Sequence, residues 1–380
     1  MIRILLLVFL MLTEGCAMLP KERIIGSIND YNLAIEKAQN EMLLLNVVRG
    51  SLNRPLYFTG FNLLRGNMTY NISTGGFLPF GRVGNGMDGA YYVTPGLSFS
   101  TNPSFDVGVL DTKEFIRGIM TPISLETMDY YWQAGWPKEM LLYLFVERVE
   151  IDGVKEILDN NPQDEQGFKK FQAWVAKTTT CKINSKEKPA IGPNIKINGD
   201  FDVGKLLEIV KSGYMISPVQ DDQNSKGLFQ LKPQQKDYYM DCENRKKIYS
   251  SGTQQVDHNA QNEDKIYLRS PDAILYYLGE ILRAKTDKNF DTKIHACGSD
   301  PSYASNLFDV EKAQGSTSDS YVSVEYEGTT YVIRRNKTEP KGACPSAQSM
   351  QTLTLISQLI SLQKSGENLP TTGVVNVLGR

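Results

Sequence analysis

Residues 21–50 read KERIIGSINDYNLAIEKAQNEMLLLNVVRG, and the chain changes period immediately after them. Tyr31, Ile35, Ala38, Met42, Leu45 and Val48 recur at three- and four-residue steps, which predicts a long helix over 21–49 with one apolar stripe. Gly50 and Pro55 stop it. Residues 56–109 then read as strand. Met68, Tyr70 and Ile72 alternate with polar neighbours, as do Phe105, Val107 and Val109. A helical period followed by a strand period predicts an α+β fold: a long N-terminal helix, antiparallel hairpins and several helices packed around them.

Between the two alternating segments lies a glycine-rich stretch, 75–89, carrying Phe77, Leu78 and Phe80. A long hairpin with an apolar tip would produce this pattern, and Phe77, Leu78 and Phe80 are then a candidate contact with a partner or with lipid. The alternative is a loop folded back on its own core. Gly84-Asn85-Gly86-Met87-Asp88-Gly89 matches G-x-G-x-x-G letter for letter. A dinucleotide site needs a strand before that motif and a helix after it. Here Tyr91-Tyr92-Val93 follows, so no nucleotide cofactor is expected.

Downstream, Asp111 and Glu114 suggest a capping box for a helix through Met120. Ser124 suits the N-cap of a helix over 125–133. Gly135 breaks it, and Pro137 opens another helix, expected to reach Glu150. Phe168, Phe171 and Val175 mark a further helical stripe. Residues 179–200 are polar, Lys-rich and contain Pro189 and Pro193, which predicts a loop or linker. A short amphipathic helix follows over 202–212, and 218–225 and 249–264 read as loops. Ser270 and Pro271 start a helix that buries Ile274, Leu275, Leu278, Ile281 and Leu282. Residues 321–326 and 329–335 alternate as a hairpin around Glu327 and Gly328. A last helix is expected over 346–364, with Leu353, Leu355, Ile356, Leu359, Ile360 and Leu362 buried.

The N-terminus predicts an address. Arg3 precedes the apolar run Ile4–Leu12, which is too short to span a bilayer and suits the core of an export signal. Gly15-Cys16 follows and resembles the lipobox of bacterial lipoproteins, in which the cysteine is acylated and the signal is cut before it. Thr13 stands where that family prefers Leu. An ordinary secretory signal or a short uncleaved anchor is the alternative. More than one acyl chain gives stable anchoring. Ala17, where Asp would favour the inner membrane, implies the periplasmic face of the outer membrane. No later stretch is apolar enough for a spanning helix, so everything after Cys16 is expected to be soluble.

The 380 residues carry 41 Lys+Arg against 43 Asp+Glu, a balance that gives no electrostatic footprint for nucleic acid. Of five cysteines, Cys181, Cys242, Cys297 and Cys344 remain once Cys16 carries lipid. An even number in an exported chain suggests two disulfides, and sequential pairing, Cys181–Cys242 and Cys297–Cys344, closes the shorter loops. The absence of CxxC spacing argues against a metal site, and no metal or cofactor is expected. His258 and His295 both lie in polar stretches, without HExxH or G-x-S-x-G. Asp221-Asp222 reads as a solvated turn. Tyr130-Tyr131-Trp132 and Trp136 are dense enough to line a groove, although bridging two helices in the core explains them more simply.

Leu44-Leu45-Asn46-Val47-Val48-Arg49 with Pro55, Phe115, Met120-Thr121-Pro122-Ile123, Gly135-Trp136-Pro137, Ser270-Pro271 and the closing Leu359, Leu362 and Gln363 follow in order along most of the chain. In that order they resemble a family of uncharacterised proteobacterial envelope lipoproteins. The resemblance implies a shared envelope location and fold, and brings no catalytic residue. The cysteine-bearing insertions lie outside its pattern.

The expected organisation is a signal peptide (1–15), a lipid anchor and tether (16–20), an α+β region (21–178), a polar loop or linker (179–200), a second α+β region (201–366) and an irregular tail (367–380). The expected function is a non-catalytic binding or scaffold component, held on the membrane by its N-terminal lipid and meeting other envelope proteins. An enzyme acting on cell-wall glycan or peptide through carboxylates, or a subunit of a secretion or transport apparatus, are the alternatives.

Overall fold

The computed structural model describes residues 21–75, 94–151, 156–188, 190–196, 203–219, 228–242, 247–250, 263–288, 292–295, 304–313, 315–335 and 348–363. In chain order the elements are α1 (Lys21–Ser51), β1 (Thr59–Gly75), β2 (Thr94–Val109), α2 (Lys113–Met120), α3 (Leu125–Gln133), α4 (Lys138–Phe145), β3 (Val146–Ile151), β4 (Glu156–Asp159), α5 (Glu165–Thr178), β5 (Lys182–Lys186) and β6 (Ile191–Lys196). Then come α6 (Val203–Lys211), β7 (Tyr214–Pro218), β8 (Leu228–Pro233), β9 (Asp237–Asp241), β10 (Ile248–Ser250), β11 (Asp264–Leu268), α7 (Pro271–Lys288), β12 (Lys293–His295), β13 (Ala304–Asn306), β14 (Glu311–Lys312), β15 (Ser320–Tyr326), β16 (Thr329–Arg334) and α8 (Gln348–Leu362). The fold is α+β, as the two periods imply.

The described residues divide into two compact units, one holding 21–36, 57–75 and 94–116, the other 37–56 and the described part of 117–363. The division does not fall at 179–200.

In the first unit β1 and β2 form a two-stranded antiparallel ribbon, in register from Thr59↔Val109 to Gly75↔Thr94, with a bulge between Phe61 and Leu63. At its base the Leu110 N–H donates to the Phe58 carbonyl at 2.9 Å, and the Phe58 and Phe115 rings meet edge-on with centroids 5.7 Å apart. The helix that follows starts one residue later than its capping pattern suggests. Thr112, rather than Asp111, caps α2, its hydroxyl accepting from the Phe115 N–H at 3.3 Å.

The second unit is built on a six-stranded sheet in the order β4-β3-β11-β10-β9-β5, in which only β10 and β11 run parallel. Three-stranded sheets β6-β8-β7 and β14-β16-β15 accompany it. The heart of the core is α4, where every residue from Met140 to Phe145 is buried. Tyr143 meets Phe168 and Phe171 of α5, each with centroids 5.9 Å apart. Ile274, Leu275, Leu278, Ile281 and Leu282 of α7 are all buried, as their spacing predicts. Glu327 and Gly328 turn the β15–β16 hairpin with positive φ at both positions, the geometry of a two-residue hairpin turn.

Four expectations need correction. The helix from Pro137 does not reach Glu150. It ends at Phe145 and becomes β3, because Val146, Val149 and Ile151 are β-branched and the carbonyls at the break are taken by side chains from elsewhere. Residues 179–200 are no linker. Lys182↔Asp241 to Lys186↔Asp237 pair β5 with β9, and β6 pairs with β8. Two of the lysines that read as loop, Lys182 and Lys186, sit on the outermost strand of the six-stranded sheet, where Lys guards an unpaired edge. On α1 the buried apolar side chains are Leu43, Leu44, Val47 and Val48, with Met42 and Leu45 only half-buried. Leu362 is 67% exposed rather than buried.

Candidate functional site

An open cleft of about 730 Å³ lies in the second unit, where the ends of β3 and β4 meet the first turns of α7. Its floor is Arg269, the residue directly after β11 and two before α7, and 5% exposed. Helix α4 ends with carbonyls that have no partner within the helix. Arg269 Nη1 donates to the carbonyls of Tyr143 at 3.0 Å, Leu144 at 3.4 Å and Val146 at 2.7 Å, and Nη2 to that of Asn160 at 2.9 Å. The Asn160 amide nitrogen reaches two of the same carbonyls, Tyr143 at 2.8 Å and Val146 at 2.7 Å. Tyr277 closes the network: its hydroxyl donates to Asn160 Oδ1 at 2.8 Å, and its ring lies 3.8 Å from the Arg269 guanidinium carbon.

A cation at a helix C-terminus meets the negative end of the helix dipole as well as the free carbonyls. That offsets the cost of burying it. Burial brings the Arg269 pKa down to about 10, while Tyr277 and the Glu147 carboxylate act upward, so the group is a cation at neutral pH. Burial drives the Tyr277 phenol well above its ordinary range, with Arg269 and the Asn160 bond opposing.

Above this floor, Glu147, Asp159, Asp272 and Glu280 line the cleft with Asn161, Gln163, Tyr276 and Arg283. Arg283 pairs with Glu280 on the same helix, which raises its pKa. The Gln163 side chain donates to the Glu280 carbonyl at 3.1 Å and ties the 160–164 turn to α7. Asp272, rather than Ser270, takes an N–H of the first turn, that of Ala273 at 2.8 Å, while the Ser270 hydroxyl bonds to Asp272. Tyr276 is 38% exposed and offers a ring face to the opening. Carboxylate acceptors outnumber free cations here, so the cleft suits a ligand rich in N–H donors or carrying an ammonium group.

Cys181 and Cys242 form a disulfide, one of the two expected pairs. It joins the residue before β5 to the residue after β9 and is buried. Cys16, Cys297, Cys344, Phe77, Leu78, Phe80, His258, Asp221-Asp222 and the 84–89 glycine motif lie outside the described residues, as do the signal, the tether and the tail. Strand β2, not a helix, follows the glycine motif at Thr94. His295 ends β12, away from the cleft lining. The aromatic cluster serves the core: Tyr131 and Trp132 are buried, Tyr131 packs edge-on against Trp136 and Phe145, and Tyr130 alone is exposed, at 69%. Among the described residues no group of three or more His, Cys, Asp or Glu is placed to hold a metal ion. Among the same residues no helix is long and apolar enough to cross a membrane.

Sequence reasoning missed Arg269, Asn160 and Tyr277. A trace existed, in that Arg269 stands between the apolar Leu268 and the helix start at Ser270-Pro271, where a solvated cation has no reason to sit. No protein-family model, curated protein or solved structure matches the chain.

Proposed function

We propose that the chain is an exported lipoprotein of the bacterial envelope, acylated at Cys16 on the periplasmic face of the outer membrane, that binds or scaffolds other envelope components without catalysis. The observation that carries this reading is the buried Cys181–Cys242 disulfide, which belongs in an oxidising compartment. It agrees with the short apolar run ahead of Cys16 and with the envelope-lipoprotein resemblance. The cleft beside Arg269 supplies a surface for the binding role, its carboxylates placed for donor-rich peptide or amino groups.

A second reading is favoured by the same cleft. Glu147, Asp159, Asp272 and Glu280 around one opening, with Tyr276 exposed, are also what carboxylate chemistry on a cell-wall glycan or peptide would require. The experiment is metabolic labelling with a palmitate analogue and cross-linked affinity purification of the tagged chain, beside Cys16→Ser. Label and stoichiometric partners, both lost in Cys16→Ser, support the anchored scaffold. A labelled chain recovered alone that releases fragments from isolated cell wall, and stops on Asp159→Asn or Glu147→Gln, moves the role to the enzyme. An unlabelled chain in the cytoplasm overturns both.

A further inference from the structure

The β1–β2 ribbon is out of proportion to an ordinary hairpin. Strands of 17 and 16 residues pair with each other and with no third strand among the described residues. Strands in globular proteins run about 3–10 residues, and a lone two-stranded ribbon is marginal in water. Something else must meet its faces and its two free edges.

The register shows what. Beyond the bulge, Leu64, Met68, Tyr70 and Ile72 fall at alternate positions and so share one face of the ladder. Phe105, Phe99 and Leu97 stand opposite Leu64, Tyr70 and Ile72 on that same face. The intervening positions, Arg65, Asn67, Thr69 and Asn71, pair with Ser104, Asn102, Ser100 and Ser98. One face is therefore free of charge and mostly apolar from Leu64 to Ile72, with Gly66 paired to Pro103 and Thr101 its one hydroxyl, and the other, which carries Arg65, is polar throughout that span.

A ribbon packed on its own core could share that alternation, but its length matches a membrane. The apolar band covers residues 64–72 and 97–105. A strand crossing a bilayer needs about 9–11 residues. At ~3.4 Å per residue and a tilt of roughly 40°, nine residues rise about 23 Å, against the ~25 Å apolar belt of outer-membrane barrels.

We infer that β1 and β2 are one segment of a transmembrane β-barrel closed by several copies of this chain, the apolar face against lipid and the polar face toward a water-filled lumen. Several copies are required by hydrogen bonding. In hydrocarbon every backbone N–H and C=O must be satisfied, so two free edges cannot stand in lipid and the sheet must close. The smallest such barrels have about 8 strands, which needs at least four copies. The β1 edge of one copy pairs with the β2 edge of the next, a head-to-tail contact that repeats into a ring. The expectation that everything after Cys16 is soluble then fails for this segment alone. The inference rests on the envelope location proposed above, and gives that location a function: passage of solute through a lumen lined by Asn, Ser and Thr with one ring of Arg65.

The test uses the full chain extracted from membranes and returned to phospholipid vesicles, with an environment-sensitive fluorophore on a cysteine placed at Tyr70 or at Asn71, and the parent chain as background. The expected result is strong quenching of the Tyr70 label by nitroxides on lipid acyl chains and little by aqueous iodide, the reverse at Asn71, and particles of at least four copies by mass photometry. Both labels open to iodide with no quenching by lipid would place the ribbon in water and overturn the inference. Alternating iodide access without lipid quenching would mean packing against protein, and would overturn it equally. Either failure leaves palmitate labelling at Cys16 intact, so loss of the barrel is distinguishable from loss of the lipoprotein reading.

Discussion

The guanidinium carbon of Arg269 lies 3.8 Å from the centroid of the Tyr277 ring, and both side chains are buried. The contact locks the start of α7 onto the end of α4, because Arg269 donates to the carbonyls of Tyr143, Leu144 and Val146 at that end, and to Asn160, while Tyr277 belongs to α7. Arg269→Met keeps the volume and removes every donor. With four carbonyl bonds lost, the expected destabilisation is about 3–5 kcal/mol, read as a drop in the urea midpoint. Tyr277→Phe keeps the ring under the cation and loses only the bond to Asn160, so about 1–2 kcal/mol is expected. Equal losses in the two variants would mean that the Arg269 donors add nothing beyond the Tyr277–Asn160 bond, and that the capped helix end does not hold the junction.

Stability should fall in alkali. Burial raises the phenols of both Tyr143 and Tyr277 far above their ordinary value of 10, so above pH 10 the unfolded chain gives up two protons that the folded chain keeps. Arg269 acts in the opposite sense. Its folded value is about 10, below the ordinary guanidinium range, so above pH 10 the folded chain releases that proton first. Each fully shifted group contributes about 1.4 kcal/mol per pH unit, and because burial also raises the phenols of Tyr131 and Tyr331, the raised phenols outweigh the one lowered guanidinium and stability falls from pH 10 upward. Tyr143→Phe removes one of the most strongly raised phenols and should make the slope shallower. Urea titrations at pH 9, 10 and 11 measure both chains, and an unchanged slope in Tyr143→Phe would contradict the account.

The contrast between α7 and α4 shows what this sequence discloses. The face of α7 was legible because its five apolar residues keep helical spacing and meet one core. The end of α4 was not, because residues 138–150 are apolar enough for either state and the deciding groups, Arg269 and Asn160, come from far along the chain. Strand β5 was illegible for a related reason. Its edge position rewards lysines that elsewhere mark a loop, and its pairing with β9 is fixed by a covalent bond across 61 residues. Of the cleft, only the helix start at Ser270-Pro271 could be read, since its floor is a side chain answering a backbone need created by the tertiary fold.

That covalent bond makes a separate prediction. Closing a loop with a sequence separation of 61 removes unfolded-state entropy equivalent to about 4 kcal/mol. Cys181→Ser with Cys242→Ser should lower stability by roughly that amount, as should reduction of the parent chain. Because the bond continues the β5–β9 ladder, hydrogen exchange in residues 182–186 should accelerate more than in α4. Uniform acceleration across both would show that β5 is not a separately opening edge.

Gly279 makes the narrowest claim about packing. A Cβ built there would lie 2.5 Å from the Ser51 nitrogen and 2.7 Å from the Gly50 carbonyl carbon. These are backbone atoms of α1, which cannot swing aside as a side chain does. Gly50 answers from the other helix, its own Cβ position lying 3.3 Å from the Leu275 carbonyl oxygen. Inside a helix, Gly→Ala ordinarily gains about 0.5–1 kcal/mol. Here the sign should reverse, with Gly279→Ala costing about 1–3 kcal/mol or more as α1 and α7 are forced apart. Gly167→Ala is the control. Its nearest obstacle is the Asp164 carboxylate, a movable side chain, so only the loss of an N-terminal cap bond, about 1 kcal/mol, is expected. Thermal melts of the two variants side by side decide it: if Gly279→Ala is no less stable than Gly167→Ala, the crossing of α1 and α7 is looser than these distances require.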